Sequence, residues 1–204
     1  MHIKTLTVGP IETNCYVVSD EETKECAVID PGDESNVILD YIEGNGLTCR
    51  CILLTHAHGD HTGAVDEILD QTDAVLYMNE KDNGVAIGSG PLSIYHAPEG
   101  TRFYKDGDVV NVGSLTFKVI ETPGHTPGGV CLICGDVIFT GDTLFKDSCG
   151  RTDFAASRTE AMLNSLRRLA MLPGDYEIFP GHMSSTTLDQ ERRFNYFVQM
   201  AMRG

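Results

Sequence analysis

Short apolar or alternating blocks recur along the chain at 3–8, 15–19, 26–29, 51–54, 74–78, 108–112, 115–121, 130–134 and 137–140. Their length, and the Gly, Pro, Asn and Asp residues around them, predict β-strands. Gly135-Asp136 between the last two blocks predicts a two-residue hairpin turn. Elsewhere the spacing turns helical, in Val37-Ile38-Tyr41-Ile42, Val65-Ile68-Leu69, Met162-Leu163-Leu166-Leu169 and Phe194-Phe197-Val198-Met202. These stripes read as core contacts, and the first helix is expected near Asp33-Glu34-Ser35, where the macrodipole favours its acids. Strands in runs interrupted by amphipathic helices predict an α/β (α+β) sandwich with helices on the outer faces of the sheets. The 204 residues read as one domain, 1–204, without repeat, linker or low-complexity tract. Segment 79–107, with Gly84, Gly88, Gly90, Pro91 and Pro98, has little pattern. It reads as a surface excursion with a short helix; the alternative is a segment over the cleft that sets specificity, with Tyr95, His96 and Tyr104 as candidate substrate contacts.

Charge narrows the choice of partners. Lys and Arg number 15 against 30 Asp and Glu, a net charge of −15 with no basic cluster, which argues against nucleic acid. The first residues alternate like a strand and no run of eighteen apolar residues occurs, so neither a leader nor a membrane span is expected and the protein reads as cytoplasmic. Seven cysteines, an odd number set mostly in apolar runs, read as buried reduced thiols. Cys131 and Cys134 in one strand should point to opposite faces.

Candidate chemistry concentrates in Thr55-His56-Ala57-His58-Gly59-Asp60-His61, directly after the apolar run Cys51-Ile52-Leu53-Leu54. Imidazole and carboxylate together suit zinc, iron or manganese, and so many crowded together would otherwise be poorly satisfied. His56 and His58 are two residues apart, a spacing that aligns side chains in extended or loop backbone and not on a helix. The chain thus presents ligands from a loop at the end of a buried strand. Further ligands are expected from His125 in Thr122-Pro123-Gly124-His125-Thr126-Pro127-Gly128, Asp142 in Phe139-Thr140-Gly141-Asp142-Thr143, and His182 in Phe179-Pro180-Gly181-His182. The seven groups match what two four- or five-coordinate ions sharing one carboxylate need.

In this order and context the motifs resemble those of the metallo-β-lactamase superfamily, and among its members the glyoxalase II-like hydrolases, from Asp30-Pro31-Gly32 to Glu191-Arg192-Arg193-Phe194-Asn195. The resemblance implies a four-layer αββα sandwich with two divalent metal ions, zinc first and iron or manganese in its place, in a cleft at one edge of the sheets. It implies that His56, His58 and His125 bind one metal, that Asp60, His61 and His182 bind the other, and that Asp142 bridges them. Asp60 and Asp142 are thereby the carboxylates nearest the chemistry, and Asp30 would orient a ligand imidazole.

Water between two cations ionises near neutral pH, which supplies a nucleophile for a carbonyl. A thioester is the carbonyl substrate that needs least further machinery, because its thiolate leaves with little or no protonation, whereas an amide needs a general acid. The expected activity is hydrolysis of a small thioester such as S-lactoylglutathione, a small-molecule substrate. The chain also departs from full-length glyoxalase II. It stops at Gly204 where those enzymes continue into a helical glutathione-binding domain, and Asp153 stands where their tyrosine contacts glutathione. Arg151 is left either to take the glutathione carboxylate or to pair with Asp153, whose charge would repel an anionic thiol. Gly150-Arg151-Thr152-Asp153-Phe154 resembles the short glyoxalase II-like proteins, and also the persulfide dioxygenases of the superfamily, which use one iron held at positions matching His56, His125 and Asp142. Thr126-Pro127-Gly128 is closer to the hydrolases. A nuclease, a β-lactamase and a scaffold with a dead site are all disfavoured, the last because no ligand is missing.

Overall fold

The computed structural model describes residues 1–87 and 94–203. The first sheet takes β1 (His2–Val8), β2 (Thr13–Ser19), β3 (Glu25–Ile29), β4 (Thr48–Leu53), β5 (Val75–Met78) and β6 (Arg102–Phe103) in that spatial order. The second takes β7 (Val109–Val112), β8 (Leu115–Glu121), β9 (Val130–Cys134), β10 (Val137–Gly141), β13 (Glu177–Pro180) and β14 (Thr186–Thr187), ordered β14-β13-β10-β9-β8-β7. A small hairpin, β11 (Leu144–Phe145) and β12 (Ser148–Cys149), follows β10. The helices are α1 (Ser35–Gly44), α2 (Gly59–Thr62), α3 (Val65–Gln71), α4 (Thr159–Ala170), α5 (Leu188–Phe194) and α6 (Tyr196–Arg203).

Three apolar clusters define four layers. Tyr16, Ile29, Leu53, Phe117, Val119, Leu132 and Phe139 fill the space between the sheets. Ile38, Ile42, Val65 and Ile68 of α1 and α3 pack on the outer face of the first sheet. Met162, Leu166, Leu169, Val198 and Ala201 of α4 and α6 pack on that of the second. Strand patterning follows from this layering. Leu115, Phe117 and Val119 of β8 point inward, with Thr116 and Lys118 exposed between them, whereas β2 and β10 are covered on both faces and buried throughout. Helical crossovers join β3 to β4, β4 to β5 and β10 to β13, and all three pairs are parallel. That connection sends the C-terminal ends of β3, β4, β10 and β13 toward one edge.

The hairpin at Gly135-Asp136 forms as expected, with Gly135 at φ 61. Cys131 faces α4 while Cys134 faces the inter-sheet core, and all seven thiols are free. Other expectations need correction. Glu34 is left-handed at φ 53, so α1 starts at Ser35 and its first turn holds no acid. The last stripe is two helices. The Asn195 Oδ1 caps the second of them by accepting from Phe197 N and Val198 N, and Phe194 and Met202 are exposed. In segment 79–107, where 88–93 lie outside the described residues, the short helix is a 3₁₀ turn at Glu80–Asp82. Tyr104 is a core residue whose hydroxyl donates to the Leu54 carbonyl, and Tyr95 packs on the α1–α3 side, so neither is a substrate contact. His96 lies against Gly84 and likewise stays away from the cavity described below. Among the described residues no helix is long and apolar enough to cross a membrane.

Phe139 is the pivot of the inter-sheet core, with ring centroids 5.2 Å from Tyr16 and 5.5 Å from Phe179. Phe139→Ala should cost about 3–5 kcal/mol in urea unfolding, because rigid neighbours on three sides prevent collapse into the void. A loss below about 1 kcal/mol would show that the two sheets close up without it.

Candidate metal centre

The converging strand ends gather every candidate ligand read from the sequence. Asp30 leaves β3 in a left-handed conformation, φ 51, and reaches the loop after β4. Its Oδ1 accepts from Thr55 N at 2.7 Å and its Oδ2 from the Thr55 hydroxyl at 2.6 Å. The same Oδ2 stands 3.0 Å from Nδ1 of the fully buried His61. On the other sheet β10 and β13 run in parallel register, which puts Asp142 and His182 side by side just past their ends. Close approach dictates two glycines. A Cβ at Gly141, which sits at φ 46, would lie 2.1 Å from Thr55 Oγ1, and one at Gly181 would lie 2.4 Å from Asp142 Oδ1.

Hydrogen bonds assign the imidazole nitrogens. The Ile87 carbonyl, 2.9 Å from His58 Nε2, can only accept, so that nitrogen carries the proton and Nδ1 presents a lone pair. The Arg151 carbonyl, 2.8 Å from His125 Nδ1, does the same for His125 and frees Nε2. Those two lone pairs then face one another at 2.8 Å. Thr55 gives its proton to Asp30, so it accepts from His56 Nδ1 at 3.2 Å and leaves His56 Nε2 buried without a partner. Three inward-facing lone pairs are what a divalent cation needs, and His56, His58 and His125 lie within 4.8 Å of one another at their ligand atoms.

A second triad lies alongside. Asp60, His61 and His182 meet the same criterion, with Asp60 Oδ2 3.3 Å from His61 Nε2 and 3.2 Å from His182 Nε2. Asp30, His56 and His61 also lie that close, but the Asp30 oxygens already serve Thr55. Asp142 stands between the triads. Its Oδ1 is 3.5 Å from His61 Nε2, and its Oδ2 is 3.4 Å from His125 Nε2 and 3.7 Å from His182 Nε2. Asp142 Oδ1 and His61 Nε2 are buried polar atoms without hydrogen-bond partners, as unfilled ligand positions would be. The donor set thus fits divalent cations.

Electrostatics separates the two halves. Burial, then the neighbouring imidazoles, hold His56 well below the usual histidine pKa and lower His58, and burial lowers His125 against the pull of Asp142, so the neutral form is favoured in all three. Burial opposes charge on His61 and His182 too, but Asp30, Asp142 and Asp60 outweigh it and raise both. Asp60 is lowered, since the two imidazoles overcome its desolvation.

Two supports carried no signal in the sequence. Asp82, in the unpatterned segment, is buried beneath the first triad and ties both its loops. It accepts from Ala57 N (3.2 Å) and the Thr126 hydroxyl (2.8 Å) on Oδ2, and from Gly128 N (2.6 Å) on Oδ1. Asn14 in β2 pins the His182 loop by donating from Nδ2 to the Met183 and Pro180 carbonyls. The guanidinium of Arg151 is bidentate to Asp153, at 2.9 and 2.8 Å, and lies over the Phe154 ring. A cavity of about 500 Å³ opens over the cluster, lined by His58, Asp60, His125, Asp142 and His182 together with Ile11, Phe145, Arg151 and Phe154.

The model of the metallo-beta-lactamase superfamily matches residues 8–182. The chain belongs to this superfamily. Hydroxyacylglutathione hydrolase GloC of Haemophilus influenzae is 34% identical over 97% of this chain and 98% of its own. The BLEG-1 B3 metallo-beta-lactamase structure superposes with a TM-score of 0.88 at 34% identity, covering 97% of this chain and 99% of that one. TTHA1623 in a di-iron-bound form superposes at 0.83 with 36% identity, over 95% and 99%.

Two measurements probe the centre. In chelator-treated protein the lowered histidines destabilise the fold as pH drops below about 6.5, their unfolded value, and the raised ones forfeit their stabilisation as pH climbs above it. The melting temperature should therefore peak near pH 6.5, and a monotonic profile from pH 5 to 9 would refute the assigned charge states. Asp82→Asn keeps one acceptor oxygen but points an amide N–H at a donor. It should weaken the ion at the His56, His58 and His125 triad by about 10–100-fold in competition with a chromophoric chelator. Equal weakening of every bound ion would show only a general loosening.

Proposed function

We propose that the chain is a metal-dependent hydrolase that cleaves a small thioester, with two divalent ions, zinc first and iron or manganese in its place. The observation that carries this reading is Asp142, which stands between two complete ligand triads, 3.4 Å from His125 Nε2 of one and 3.5 Å from His61 Nε2 of the other. His56, His58 and His125 would hold one ion, Asp60, His61 and His182 the other, and Asp142 both, with Asp30 orienting His61. Ions bound there supply water that ionises near neutral pH and a positive field for a carbonyl oxygen.

The protein groups account for the rest. Ile87 and Arg151 hold two imidazoles in the ligating tautomer through their carbonyls, and Asp60 and Asp142 offset the cationic charge. Phe145 and Phe154 line the approach and limit bulk water. Among the described lining residues outside the ligand set, the single ionisable group is Arg151, paired with Asp153, so none of them is a ready proton donor for an amine leaving group. A thiolate needs none, which favours a thioester over an amide or lactam. The GloC relative supports the same chemistry by its name.

Zinc- and iron-loaded protein should consume S-lactoylglutathione without taking up oxygen when offered glutathione persulfide, and should leave a chromogenic β-lactam intact. Oxygen uptake by the iron form alone would replace the hydrolase with the mononuclear iron persulfide dioxygenase. Asp142→Ala should release both ions, as read by elemental analysis, and lower hydrolysis beyond the about 10–100-fold typical of outer residues. Retention of both ions would refute the bridge.

A further inference from the structure

Resting on the thioester reading, the walls of the cavity narrow the substrate. Phe154 packs edge-on against two of the three imidazoles of the first triad, its centroid 5.3 Å from that of His58 and 5.6 Å from that of His125. Phe145 flanks the second triad, 6.2 Å from His182. Ile11, 59% exposed, completes the rim. A substrate whose carbonyl reaches Asp142 therefore crosses apolar surface whichever side its two arms take.

Charge points the same way. The ligand carboxylates Asp60 and Asp142 belong to the floor, and among the described residues the one permanently cationic side chain lining the cavity is Arg151. Asp153 occupies the Nε–Nη2 edge of its guanidinium, and the Phe154 ring, 4.8 Å away, lies over one face. An anionic thiol carrier would meet a guanidinium already neutralised by Asp153, on a chain of net charge −15. Residues 88–93, Gly-Ser-Gly-Pro-Leu-Ser, carry no charge that would offset this.

We infer that the site prefers a thioester that is uncharged and apolar on both sides of its carbonyl, with Phe154 and Phe145 as the selecting surfaces and the Asp153–Arg151 pair disfavouring anionic carriers. Water adds its oxygen to the acyl carbon, the C–S bond breaks, its electron pair leaves on sulfur, and the water's protons end on the thiol and in solvent beside a carboxylate.

Four thioesters test this on the zinc-loaded full chain: lactoyl and phenylacetyl groups, each on glutathione and on neutral N-acetylcysteamine, with rates normalised to attack by free hydroxide. The expected order places phenylacetyl-N-acetylcysteamine first and S-lactoylglutathione last in kcat/KM, with about tenfold or more for each change. Asp153→Ala, at an exposed position, should narrow the gap between carriers by freeing Arg151, and Phe154→Leu should narrow the gap between acyl groups. Equal or faster turnover of S-lactoylglutathione by the unaltered protein overturns this inference and leaves the thioester reading intact. Absence of turnover on all four overturns both.

Discussion

Lone pairs of His58 and His125 that face each other at 2.8 Å, with both other ring nitrogens donating to carbonyls, have no stable arrangement without a cation or a trapped proton between them. At that separation no water fits between the two nitrogens, and burial lowers the pKa of both rings, so a trapped proton is disfavoured. The neutral imidazoles of the first triad are thus preorganised for a metal. Beside them, Asp60, His61 and His182 form a set in which carboxylate charge dominates. Asp142 belongs to both, and its place between them sets the spacing of the whole centre.

Holding so many polar groups at the edge of an apolar core needs an outer frame, and the fold supplies it at strand ends. Asp30 uses both oxygens on Thr55 and still reaches His61, so one carboxylate couples β3, the β4 loop and a ligand. Asp82 performs the equivalent task below the other triad, joining the His56–His58 loop to the His125 loop. Asn14 joins the first sheet to the His182 loop. Both sheets thus contribute ligands while their relative position is locked by the apolar layer around Phe139 and by these few polar ties. Rigid support of this kind keeps ligands in place before an ion arrives.

The cavity above the centre is built on a different principle. Its floor is ionic and its flanks are aromatic, and its lone arginine is neutralised within the same loop by Asp153. The backbone of that arginine serves the metal site while its side chain is held outside it. One residue thereby connects ligand orientation with the surface a substrate meets.

Strand and helix blocks, the Gly135-Asp136 turn and the free thiols were legible in the sequence because period-2 and period-3.6 patterns record which face is buried. So were all seven candidate ligands, since His and Asp beside Gly and Pro at the ends of apolar blocks are expensive unless they serve a site. The Asn195 break was not, because the apolar spacing runs on across it and the side-chain cap that splits the helix does not alter the stripe. The core position of Tyr104 was hidden for a related reason: an aromatic in an unpatterned segment has no periodicity to show that it closes the inter-sheet core. Asp82, Asn14 and the carbonyls of Ile87 and Arg151 were invisible, because their partners lie from about two dozen to well over a hundred residues away and carbonyl direction leaves no trace in residue identity. Residue type by itself determined which groups are able to bind a metal. Which nitrogen each presents, which loops hold it and whether Arg151 is free were decided only when long-range packing brought distant strand ends to one edge.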